Sequence, residues 1–155
     1  MSKAARFKNL SCIAMIGLSI EEAEILKERA YAFLKNAKRL FEEGEYDLSA
    51  FNLEQFCQLL LKYKLLIKTG TYPRTHSLVR ILRELDAAYP EKNLSSFIES
   101  EILYLTKMED VFIVSRYLPR RFERREVEQL LAFAERFKDV IENCLNTTLN
   151  PGKRC

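Results

Sequence analysis

Glycine and proline are scarce in this 155-residue chain, with four of each. An all-β sandwich of this length would need many more, because tight turns recruit these residues for their backbone angles. Few, long elements are implied. Histidine is scarcer still: His76 is the only one. One imidazole with four scattered cysteines, Cys12, Cys57, Cys144 and Cys155, supplies too few converging soft ligands for a zinc or other transition-metal site. No two glycines lie close enough to form a phosphate-cradling loop, which removes P-loop nucleotide hydrolysis. Cys57 and Cys144 sit inside apolar helical patterns and are expected as reduced, buried thiols.

What is present is a balanced, globular composition. Hydrophobic residues make up 48% and charged residues 30%, and 25 basic against 22 acidic residues leave a net charge of +3. That charge is too even to predict nucleic-acid binding from its total, so the distribution must decide. A chain of this size can hide roughly two thirds of its unfolded surface in one core. The apolar run Leu10 to Ile20 is short, carries Ser11 and Ser19 and lacks a cleavage pattern. It is therefore read as neither signal peptide nor membrane span, and a cytoplasmic protein with no membrane partner is expected.

Hydrophobic periodicity places five helices. Ser19-Ile20-Glu21-Glu22 has the form of a capping box and is expected to start the first, whose apolar face is Ile20, Ala23, Leu26, Ala30, Phe33, Ala37 and Leu40. It stops near Gly44. Asp47 is the expected N-cap of a second helix running to Gly70, apolar around almost its whole circumference and so the most buried. Tyr72-Pro73 breaks the pattern. Thr75 or Ser77 then caps a short helix through Ala88, with Leu78, Ile81, Leu82 and Leu85 inward. A fourth helix is predicted from about Leu94 to Arg116, burying Phe97, Ile98, Leu105, Met108 and Phe112. A fifth starts near Phe122 and carries Val127, Leu130, Ala134, Phe137, Ile141 and Leu145. The fold class is thus all-α, an up-and-down bundle of about five helices, with short connections that make neighbours antiparallel. Residues 1–18 are expected as an N-terminal extension, 19–146 as the helical domain and 147–155 as a flexible tail.

Three sets of residues could carry chemistry. His76 opens a helix, where the positive end of the dipole disfavours its protonation, and a neutral imidazole could act as a base or bind a phosphate edge. A half-buried structural histidine fits equally well. Arg116, Arg120, Arg121, Arg124 and Arg125 put five guanidinium groups within ten residues, interleaved with Tyr117 and Phe122. Guanidinium forks match phosphate oxygens and aromatic rings stack on bases, although a solvated loop paired with Glu123, Glu126 and Glu128 explains the same residues. A second basic set, including Lys62, Arg74 and Arg80, flanks the turn that holds His76. Finally, Asn52, Glu54, Gln55, Gln58 and Lys62 lie among the apolar residues of the second helix and must find partners in the bundle, a ligand or another subunit.

The segments Ser49-Ala50-Phe51-Asn52-Leu53-Glu54-Gln55, Pro73-Arg74-Thr75-His76-Ser77-Leu78 and Ser115-Arg116-Tyr117-Leu118-Pro119 occur in an order, and on helices, that resemble the HEPN family over roughly residues 20 to 145. The resemblance implies a helical bundle related to the substrate-binding helical domains of nucleotidyltransferases. It also implies homodimerisation, a small nucleotidyltransferase partner in a toxin–antitoxin-like pair, and nucleotide or RNA as ligand, with no cofactor. Many members are metal-independent ribonucleases whose arginine and histidine lie about four to six residues apart, near one helical turn. Here Arg74 and His76 are separated only by Thr75, and no histidine follows Arg116, so the expectation turns toward binding. On it Arg74, His76, Arg80, Arg116, Tyr117, Arg120 and Arg121 contact nucleotide or RNA. The alternatives are a ribonuclease with His76 as catalytic base, and a purely structural homodimeric scaffold.

Overall fold

A computed structural model describes the backbone of residues 3–145 and the side chains of residues 20–143. Among the described residues six α-helices follow one another: α1 (Lys3–Glu42), α2 (Tyr46–Thr69), α3 (Leu78–Ala88), α4 (Leu94–Ser100), α5 (Ile102–Tyr117) and α6 (Arg124–Leu145). A 3₁₀ turn, Pro90–Lys92, joins α3 to α4. No strand occurs among the described residues, and the all-helical class stands.

α1 does not begin at Ser19. The helix runs from Lys3, so the expected capping box lies in its interior. Residues 3–18 contain no proline, and half of them are alanine, leucine, methionine or lysine, which propagate a helix well. Along its described part Ala23, Leu26, Ala30, Leu34, Ala37 and Leu40 are buried, but Ile20 is 61% exposed, contrary to its expected place on the inner face.

Gly44 ends α1 in the left-handed region, φ 80°, and the Glu45 N–H donates back to the Leu40 carbonyl at 2.9 Å. This closes the helix and reverses the chain into α2. The reversal makes α1 and α2 antiparallel, as the cross-links show: Ser49 Oγ donates to the Ala37 carbonyl at 2.8 Å, and Tyr72 Oη to Glu22 at 2.8 Å. Asp47 is not the N-cap. Glu45 holds that position without a side-chain bond, while the Asp47 carboxylate accepts from the Phe122 N–H at 2.6 Å and ties the start of α2 to the chain entering α6.

α2 is the central element, touching α1, α3, α5 and α6. Leu53, Phe56, Cys57, Leu60, Leu61 and Leu65 are all fully or almost fully buried, as an apolar circumference requires. The helix stops at Gly70, whose φ of 80° allows its N–H to reach the Leu66 carbonyl at 2.9 Å. Around α2 the core is completed by Leu78, Ile81, Leu82 and Leu85 of α3, Leu105, Met108 and Val111 of α5, and Val127, Leu130, Phe133, Phe137 and Ile141 of α6.

The single helix expected from Leu94 to Arg116 is instead α4 and α5, interrupted at Glu101 (φ −110°, ψ 14°). Ser100 Oγ donates to the Phe97 carbonyl at 3.0 Å, competing for the backbone ladder. Arg136 of α6 grips the Glu101 carboxylate with two bonds of 2.9 and 3.0 Å. Phe97 and Phe112, expected in the core, are only partly buried. Among the described residues no helix is long and apolar enough to cross a membrane. The expectations for Cys12, Cys144, Leu145, Cys155 and the tail from Asn146 fall outside the described side chains.

Candidate functional site

Two helices and one connector converge on His76. From α2, Phe51, Glu54, Gln55, Gln58 and Lys62 recur at helical spacing along one face. From α5, Glu109, Phe112 and Arg116 do the same. Between them passes the connector from Gly70 to Ser77. Ser77 caps α3, its Oγ accepting from the Arg80 N–H at 3.2 Å. Thr75 Oγ1 accepts from the Ser77 N–H at 3.2 Å, bracing the same turn. Glu109 then fastens the capped end to α5, accepting from Ser77 Oγ at 2.9 Å and from the Val79 N–H at 3.0 Å.

This bracing fixes His76 immediately before the cap. Its imidazole stacks on Phe112 with ring centroids 3.9 Å apart and planes inclined by 20°. Its backbone carbonyl accepts from the Gln58 side-chain amide. The Arg116 guanidinium lies 4.2 Å from the centroid of Phe112 and 5.7 Å from that of Phe51. His76 and Arg116 are both exposed, so an imidazole and a guanidinium are presented to solvent on one aromatic support. Among the described residues Arg116 forms no ion pair, whereas the α6 side of the arginine cluster does.

Electrostatics follow from the packing. Desolvation against the bundle, then the charges of Lys62 and Arg116, push the His76 pKa below its ordinary value, favouring the neutral ring. The direction is the one the helix opening suggests; the causes are the aromatic bed and two cations. Lys62, over the Tyr72 ring at 5.8 Å, is pushed down by burial, with Glu54 opposing. Burial pushes Glu54 up, outweighing hydrogen bonds with Gln55 and Gln58 and the charges of Arg116 and Lys62.

The residues expected to act together separate into groups. His76, Arg116, Gln55, Gln58, Glu54 and Lys62 belong to this site. Asn52 does not: it accepts from Asn36 at 2.9 Å and donates to the Leu48 carbonyl at 2.6 Å, bonding α1 to α2. Arg74 is exposed on the connector, and Arg80 pairs with Glu84 at 3.6 Å along α3. Tyr117 is 73% exposed and Arg121 is also exposed. Arg120 turns away to Glu126 and to the Phe122 ring at 5.0 Å. There it borders a separate cleft of about 610 Å³ on another face of α5, lined by Leu103, Lys107, Ile113 and Leu118. Glu54, Gln58 and Asn52 are buried, and Gln58 and Asn52 bond to other groups of the same chain.

Sequence reasoning missed three members of the site: Phe51, Glu109 and Phe112. Their signal was present for the last two, since Glu109, Phe112 and Arg116 share a face of α5 at steps of three and four.

Comparison with curated proteins and with solved structures finds no match to this chain. The family model of the HEPN domain matches residues 23–144, from Ala23 of α1 to the last turn of α6. The six-helix bundle agrees with that helical family, and the chain belongs to it.

Proposed function

We propose that this HEPN domain is a nucleotide- or RNA-associated binding module whose contact surface is the stack of His76, Phe112 and Arg116, with Lys62 at its edge. The observation that carries the reading is the exposed guanidinium of Arg116, held on two aromatic rings without a carboxylate partner beside a neutral imidazole. A guanidinium so supported offers a planar fork to phosphate oxygens, and the edges of His76 offer a further hydrogen-bonding group. Arg74, Tyr117 and Arg121, exposed nearby in sequence, are available to extend the contact along a longer strand. A nucleotidyltransferase in a toxin–antitoxin-like pair is the protein partner that fits the family, and a homodimer is the assembly that fits it.

Calorimetric titration of the full chain with adenosine nucleotides and with a short single-stranded RNA, at two salt concentrations, tests the surface. Binding that weakens with salt and falls in Arg116→Ala is expected, since each phosphate contact releases counterions. Absence of salt-sensitive binding to both ligands overturns the reading.

A second reading, metal-independent RNA cleavage, is favoured by one observation: the lowered pKa of His76 keeps a base next to an arginine that could stabilise a phosphorane-like transition state. It requires cleavage in chelator that disappears in His76→Ala. RNA left intact by wild-type protein rejects it.

A further inference from the structure

The face of α2 beneath the site is longer than the aromatic stack that covers it. Phe51, Gln58 and Lys62 lie along that face, and the eleven positions from Phe51 to Lys62 make three turns with a rise of about 16 Å. Each of the three meets a different group. At one end the Arg116 guanidinium stands 5.7 Å from the Phe51 ring. In the middle the Gln58 amide donates to the His76 carbonyl, which places His76 between the two ends. At the other end the Lys62 ammonium lies over the Tyr72 ring at 5.8 Å. The order along the helix is therefore guanidinium, imidazole, ammonium.

The two cations are mounted alike. Tyr72 packs against Leu26 and Leu66 and donates its hydroxyl to Glu22 at 2.8 Å, so the ring under Lys62 is anchored to α1. Phe112, which carries Arg116 at 4.2 Å, is stacked with His76. Among the described residues neither Lys62 nor Arg116 forms an ion pair, although Glu22 bonds to Tyr72 and Glu54 shares the helix with Lys62. An ammonium or guanidinium on a ring face still has N–H donors to offer an acceptor. A single phosphate cannot touch both cations across His76 and the length of helix between them. Two phosphates of one strand can.

We propose, on the binding reading given above, that Lys62 seated on Tyr72 is a second phosphate contact, separate from Arg116, and that the site takes a strand of two or more nucleotides in preference to a mononucleotide. One phosphate lies at Arg116, the strand crosses His76, and a later phosphate lies at Lys62. The exposed imidazole faces the sugar and base between them, where a ring can stack on a base. Arg116 supplies the planar fork that orients its phosphate, whereas Lys62 is a compact charge on a flexible stem that accepts a phosphate at several angles. Lys62 is thus a specificity-determining residue: it adds affinity only for a ligand long enough to reach it.

The test compares AMP with the single-stranded RNA tetranucleotide pApApApA on the full chain, by NMR chemical-shift titration at two salt concentrations. Wild type, Lys62→Gln, Lys62→Arg and Arg116→Ala are titrated, with thermal midpoints to check folding. In wild type the tetranucleotide should bind at least about tenfold more tightly than AMP, as a second charge-assisted contact implies. Lys62→Gln, which keeps most of the stem and removes the charge, should lose roughly tenfold for the tetranucleotide and about one unit of its salt slope, with AMP affinity held within about twofold. Lys62→Arg should retain tetranucleotide binding, and Arg116→Ala should weaken both probes. A tetranucleotide whose internal phosphates are replaced by neutral methylphosphonates should bind wild type no better than AMP, a measurement that needs no variant to fold. Equal wild-type affinity for AMP and tetranucleotide overturns the proposal. So does a folded Lys62→Gln protein that binds the tetranucleotide as wild type does or weakens both probes by one factor, and so does full affinity for the methylphosphonate strand. Any of these with salt-sensitive binding intact sinks the second contact alone, whereas wild-type protein that binds neither probe in a salt-sensitive way sinks the binding reading itself.

Discussion

Arg116 and Arg120 are four residues apart, and the chain puts them to opposite uses. Arg116 ends α5 on the rings of Phe112 and Phe51, outside ion-pair reach of any described carboxylate. Arg120 lies past the helix end, bonded to Glu126, which also receives Lys107 at 3.5 Å and the Glu123 N–H at 2.9 Å. One cation is supported by aromatic faces and keeps its hydrogen-bonding capacity for solvent or a ligand. The other spends that capacity closing a loop. Proximity in sequence is therefore a poor guide to shared function when a helix terminus lies between two residues, because the chain direction changes there.

The largest effect expected from this contrast is on binding. Arg116→Ala should weaken nucleotide or RNA affinity by roughly tenfold to a hundredfold, the range for losing a charge-assisted hydrogen bond, and should reduce the salt slope by about one. Arg120→Ala should leave affinity within about twofold, since its charge is already compensated. Equal losses in the two variants, measured by titration calorimetry, would erase the distinction.

The next effect sharpens the border between the two regions. Asp47→Ala removes the acceptor for the Phe122 N–H and frees the segment on which Arg120 sits. A loss of about 1–2 kcal/mol in urea denaturation is expected, typical for a buried amide deprived of a charged partner. Ser77→Ala should cost about 1 kcal/mol as a lost N-cap and, because the cap adjoins His76, should also weaken binding. Stability loss without any change in affinity would show that His76 is held by Phe112 and Gln58 alone.

Smallest is the effect of Arg120→Ala on stability, at about 0.2–1 kcal/mol for a half-exposed pair. Its pH dependence is more telling than its size. Burial alone would raise the Glu126 pKa, but the Glu123 N–H, Arg120 and Lys107 outweigh it and hold the carboxyl below its ordinary value. A depressed folded-state pKa adds stability above the unfolded value, near 4.3 for glutamate, and that stability is lost as pH falls through the folded value. Arg120→Ala should shrink this acid-side loss; an unchanged acid limb in thermal melts would mean that Lys107 and the Glu123 amide suffice.

Most of the bundle could be read from periodicity. The inner faces of α3 and α6 and the encircled burial of α2 follow the apolar spacing closely, as the buried Leu78, Ile81, Leu82 and Leu85 show. Where periodicity misled, a competing local interaction explains it. Ser100 and the Arg136–Glu101 clasp interrupt what reads as one helix, and the pairing of Asp47 with Phe122 spans 75 residues that no local pattern connects. The site was half legible. His76, Arg116 and the polar stripe of α2 stood out by residue type, but Phe112 reads as core because a ring that serves as a platform is apolar like any other. Only the fold shows which of its faces is covered by His76.

Cys57 of α2 is wholly enclosed, and burial, then the nearby Glu54, pushes its thiol well above the ordinary range. Alkylation needs an accessible thiolate, so this sulfur reacts only when α2 parts from its neighbours. The rate at which a thiol reagent marks Cys57, followed by peptide mass, is accordingly a clock for the opening of the helix that supports the site. A ligand that closes over His76 and Arg116 and holds the bundle together should slow that clock in proportion to its occupancy.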